Sequence, residues 1–88
     1  MPQDDAEAVR WFRKVAEQGD TDAQYNLGLM YTVGSGVPQD YVLAYMWSNL
    51  AASQGNEGAT GLRELVADKM TPEQIAEADK LAREWKPK

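Results

Sequence analysis

The residues able to do chemistry are few. The chain has no His and no Cys. That removes the commonest general base, the commonest neutral metal ligand and any thiolate. What remains is a set of carboxylates and the segment Gly34-Ser35-Gly36. Acid–base work near neutral pH needs a carboxyl raised by an apolar site. No Asp or Glu stands isolated in an apolar stretch. Asp4, Asp5 and Asp40 occupy positions where helix N-caps belong, and Glu73 falls in a first helical turn, where the dipole favours it. A calcium loop would need twelve residues with alternating oxygen ligands, and none is present. Gly34-Ser35-Gly36 lacks the Lys-Ser/Thr ending and the preceding strand of a phosphate-cradling loop, so it reads as a turn. The expectation is a non-catalytic chain with no cofactor and no metal.

Those residues must be carried by one small domain spanning 1–88, because 88 residues leave no room for a second. Such a chain buries about 60–65% of the surface it would expose unfolded, so its core is thin. Nine Lys and Arg against fourteen Asp and Glu give a net charge of −5. That balance argues against binding nucleic acid, which needs a basic footprint. No apolar run approaches the ~20 residues of a membrane span, and the N-terminus shows no basic-then-apolar leader. The compartment stays open: cytoplasmic, or exported with a leader outside this sequence.

The elements follow from self-similarity. Shifted by 36 residues, Pro2–Asp20 falls on Pro38–Asn56 with eight identities over nineteen positions and no gap. The matches are structural: Asp4 on Asp40, Ala8 on Ala44, Trp11 on Trp47, Ala16 on Ala52, Gly19 on Gly55. A period in the thirties without strand-like alternation means stacked helix pairs. About five helices are predicted. The first covers 5–18, capped by Asp4 with Glu7 three residues on, and has an apolar stripe of Ala8, Trp11, Phe12, Val15 and Ala16. The second covers 22–33, with Thr21 as N-cap and Gln24 completing the box. Gly28 within it marks a close approach of another helix, since it otherwise costs ~1 kcal/mol. The third covers 41–54 behind Asp40, with Ala44, Trp47, Leu50 and Ala51 on its stripe. The fourth, over 58–69, is weakened by Gly58 and Gly61 and keeps Ala59 and Leu65 in register with Ala23 and Leu29. The fifth opens on Thr71, Pro72 and Gln74 and buries Ile75, Ala78, Leu81, Ala82 and Trp85. Its outer face pairs Asp79 with Arg83 and Lys80 with Glu84. All three tryptophans are expected in the core.

Leu27-Gly28, Tyr31, Gly34-x-Gly36-Val37-Pro38-x-Asp40-Tyr41, Ala44-x-x-Trp47, Ala51-Ala52 and Gln54-Gly55-Asn56 together resemble a Sel1-like repeat, a relative of the tetratricopeptide repeat. The resemblance covers nearly the whole chain: a half repeat over 1–20, a complete repeat over 21–56, a degenerate repeat helix over 57–70 and a C-terminal capping helix over 71–88. It implies an all-α fold, an α/α right-handed superhelical solenoid of stacked helix pairs. It also implies an adaptor for protein–protein contacts, often in bacterial signalling or envelope processes. Some relatives carry a Cys pair in every repeat and are exported; this chain has none, so their reported β-lactam-related activities do not transfer.

In tetratricopeptide-like units the first helix of each pair lines the concave surface. The resemblance therefore puts Asp22, Tyr25, Asn26, Leu29, Thr32 and Val33 toward a groove, and Tyr31 inward. The partner implied is another protein or peptide, lying along the second and fourth helices. Residues 21–56 hold no Lys or Arg, only Asp22 and Asp40 as acids, and five of the eight aromatics. Such a unit is either an interface core, where aromatics gather and charge is depleted, or simply the more buried inner repeat. The alternative function is a structural or self-assembling fragment of a longer array. The chain starts mid-repeat, so its first helix is expected to keep an open stacking face that gives dimers.

Overall fold

A computed structural model describes residues 5–88. These form five helices: α1 (Asp5–Glu17), α2 (Thr21–Val33), α3 (Tyr41–Ser53), α4 (Glu57–Ala67) and α5 (Pro72–Glu84). Among the described residues there is no strand. The molecule measures 40 × 25 × 21 Å. Successive helices pack side by side from α1 to α4, α2 also touches α4, and α5 folds back onto α3. This is an α/α solenoid of stacked helix pairs.

Local chemistry sets the helix starts. Asp20 Oδ1 accepts from Ala23 N at 2.8 Å. Asp40 Oδ1 accepts from Leu43 N at 3.1 Å, and Asn56 Oδ1 from Ala59 N at 2.9 Å. Thr71 and Gln74 form a reciprocal capping box, with Pro72 opening α5. The predicted cap of α2 is corrected by one residue, from Thr21 to Asp20. A carboxylate reaches the third N–H with two equivalent oxygens, and the Thr21 hydroxyl is instead drawn to Gln54 Oε1 at 3.0 Å. The cap expected at Asp4 lies outside the described residues. The α2–α3 turn has Gly34 and Gly36 at φ 76° and 75°, a conformation that costs glycine little.

The core runs along the stack through Val9, Ala16, Ala23, Leu27, Tyr31, Ala44, Met46, Trp47, Leu62 and Val66. Gly28 is where the close approach occurs. A Cβ there would stand 2.7 Å from Ser48 Oγ and 3.1 Å from Leu62 Cδ2. Gln24 is fully buried yet satisfied. Its Nε2 donates to Ala16 O at 3.2 Å and its Oε1 accepts from Gln54 Nε2 at 2.7 Å. It shares the Ala16 carbonyl with Gly19 N and ties the end of α1, α2 and the C-cap of α3 together.

Two expectations fail. Trp11 is 63% exposed, whereas Trp47, one period later, is 5% exposed. Among the described helices α1 packs chiefly on α2, while α3 is enclosed by α2, α4 and α5. One-sided packing buries Val9 and Ala16, part-buries Phe12 and Val15, and leaves Trp11 facing out. The ring of Trp85 meets Trp47 edge-on at 6.1 Å and 72°. Among the described residues neither i, i+4 pair of α5 forms an ion pair; Asp79 instead faces α3 and accepts from Asn49 Nδ2 at 3.5 Å.

Candidate interaction face

The exposed sides of α2 and α4 meet on one face of the stack. Spacing builds it: residues 22, 25, 26, 29, 32 and 33 form a stripe on α2, and 58, 61, 65 and 68 repeat it on α4. All six residues predicted for partner contact lie on the α2 stripe. Val33 is 72% exposed and Asp22 is exposed, while Tyr25, Asn26, Leu29 and Thr32 are half-buried. Tyr31, expected inward, is buried, and its hydroxyl accepts from the Arg13 guanidinium of α1.

The polar members are less free than their types suggest. Asn26 Nδ2 donates to Asp22 O at 2.9 Å. Thr32 Oγ1 donates to Gly28 O at 2.6 Å. Both hydrogen bonds turn back onto their own helix. Tyr25 also has work within the chain. Its ring lies over Gly58, where an added Cβ would stand 3.3 Å from Cζ. Gly58 therefore seats an aromatic ring rather than merely weakening α4.

The sequence reading placed the partner along the second and fourth helices but named no contact residue on the fourth. Leu65 is 51% exposed, and Gly61 has nothing within 4 Å of where a Cβ would sit. The signal was present: the 36-residue period carries Leu29 to Leu65 and Tyr25 to Gly61.

Behind the face lies a polar junction. Arg63 Nη1 donates to Asn49 Oδ1 at 2.8 Å, and Asn49 in turn donates to Asp79. Burial raises the Tyr45 phenol above its usual range; the Asp79 charge and hydrogen bond add to the rise, and Arg63 opposes it. The junction joins α3, α4 and α5. Among the described residues, no three acidic side chains cluster closely enough to hold a metal ion. No described helix is long and apolar enough to cross a membrane.

Comparison with known proteins fits this architecture. The Sel1 repeat model matches residues 1–20 and 21–56, so the chain belongs to the Sel1 repeat family. That class of helical repeat is typically a non-catalytic scaffold for protein interaction. A 60-residue stretch is 37% identical to the chitin synthase regulator SKT5 of Malassezia restricta, covering 68% of this chain and 4% of that protein. A 51-residue stretch is 39% identical to an uncharacterized Sel1-like repeat-containing protein of Schizosaccharomyces pombe, covering 58% of this chain and 8% of that one. The crystal structure of c5321, a protective antigen of uropathogenic Escherichia coli with an SLR fold, superposes with a TM-score of 0.90 at 37% identity. That match covers 93% of this chain and 18% of the antigen. The chain thus spans a small part of each of these proteins.

Proposed function

We propose that this module holds a peptide or helix of another protein on the face shared by α2 and α4. The observation that carries the reading is the exposed Leu65 one repeat after the half-exposed Leu29, with the open space over Gly61 beside it. Two apolar points at repeat spacing, on helices fixed by a packed core, make a rigid landing surface. The family's scaffold character supports it, and SKT5 is by name a regulator of an enzyme. Leu65→Asn is expected to weaken partner capture at least tenfold with an unchanged thermal melt. Unchanged capture would remove the face from consideration. Tyr25→Ala is expected to lower both binding and melting temperature, because the ring also covers Gly58.

A second reading rests on Trp11. An indole 63% exposed on a helix packed from one side is a docking point for a second copy. Light scattering on Trp11→Ser separates the two: on the second reading this variant is expected to lose concentration-dependent dimers and to keep partner capture. A wild-type chain that stays monomeric at high concentration rejects the second reading.

A further inference from the structure

Resting on that landing face, we infer that the segment it receives is cationic and carries one large apolar side chain. The charges of this molecule are segregated by position. Seven of its nine Lys and Arg residues belong to α1, α5 and the tail that follows. Of the other two, Arg63 is turned to Asn49 on the far side of α4, and Lys69, one period after Val33, is the one exposed Lys or Arg beside the face among the described residues. Asp22 and Asp68 lie on the stripes themselves, and Glu57 and Glu64 border them immediately before Gly58 and Leu65. All four are exposed, and none is in an ion pair among the described residues. They differ from Asp20 and Asp40, whose carboxylates are spent on helix caps. The face is therefore apolar at Leu29 and Leu65, open at Gly61 and fringed with negative charge that has no ion pair among the described residues. Lys or Arg flanking a Leu, Phe or Trp complements it on both counts: the apolar group fills the space over Gly61 and the cations meet Asp22 and Asp68. Charge complementarity of this kind also rejects acidic segments, for which like charges would be brought together.

Two synthetic twelve-residue peptides with identical apolar positions, one Lys-rich and one Glu-rich, test this by fluorescence anisotropy with the whole chain. The Lys peptide is expected to bind about 10-fold more tightly at low salt. The gap should narrow toward 1 M salt as screening grows. Asp22→Lys/Asp68→Lys is expected to invert the preference, and Leu65→Asn to weaken both peptides. Equal binding of the two peptides, or a preference that survives the charge reversal, overturns the cationic assignment; continued sensitivity to Leu65→Asn would then leave the landing face standing. Binding indifferent to both variants overturns the face as well. Absence of binding at ~1 mM of either peptide overturns the cationic assignment. Self-association that the Lys peptide competes away would make a second copy the occupant and overturn the foreign segment.

Discussion

Trp11 and Trp47 are the same residue at the same place in successive repeats, and they have opposite fates. Trp47 is enclosed by α3's neighbours and stacked edge-on by Trp85; Trp11 is open. Trp47→Ala is expected to cost ~3–5 kcal/mol through a core cavity. In a chain of this size that lowers the melting temperature by at least ~12 °C. Trp11→Ala is expected to stay within ~0.5 kcal/mol of the parent. Thermal denaturation of the pair checks both, and comparable losses would contradict the placement of Trp11. Tyr45 makes a pH prediction. Its folded pKa is raised, so the folded state holds the phenolic proton more tightly than the unfolded chain does. The stability it contributes is complete below pH ~10, the unfolded value, and is lost as pH climbs through the higher folded value. Tyr45→Phe has no such proton to lose, and its melts should decline less steeply above pH ~10.

Helices begin where an acceptor side chain can reach a free N–H, and each start from α2 to α5 has one. The caps make an element-level prediction at α2, where adjacent residues compete for the role. Asp20→Ala is expected to cost ~1 kcal/mol, the usual value of a cap. Thr21→Ala loses only a half-exposed hydrogen bond to Gln54 and should cost less than ~0.5 kcal/mol. Chemical denaturation midpoints distinguish them, and the reverse order would restore Thr21 as the cap. The α4 helix shows why glycine content alone misleads. Gly58 and Gly61 lower propensity, yet the helix forms, with Ala59, Leu62 and Val66 buried inward. Tertiary burial supplies what propensity withholds.

At the scale of the molecule, α5 closes the stack by lying on α3, and the tail beyond it returns to the first helix. Lys88 N donates to Glu17 O at 2.7 Å, with an exposed Lys88–Glu17 ion pair at 3.3 Å. An exposed pair adds little by itself. The larger effect of α5 is to cover Trp47. Repeat arrays are held by nearest-neighbour interfaces, so removing one uncovers the next. The full chain is expected to melt cooperatively and a chain ending at Met70 is not, which circular dichroism against temperature would reveal. A sharp transition at the original temperature would mean that α5 contributes nothing to the core.

The period of 36, the five helices, the Asp40 and Thr71 caps, the glycine turn before α3 and the close approach at Gly28 could all be read from the chain. Each depends on side chains acting on backbone within a few residues, or on a pattern that repeats. The six α2 residues of the candidate face came from the resemblance to tetratricopeptide-like units; helical spacing adds only that they share a side. Tertiary structure alone decided which side of each helix is covered. It put Trp11 in solvent, turned Asp79 toward α3, seated Tyr25 on Gly58 and left Leu65 and Gly61 open. Exposure depends on neighbours brought together from distant parts of the chain, and two helices that match at Ala8 and Ala44 and at Trp11 and Trp47 differ when one is enclosed by three helices and the other lies chiefly on one.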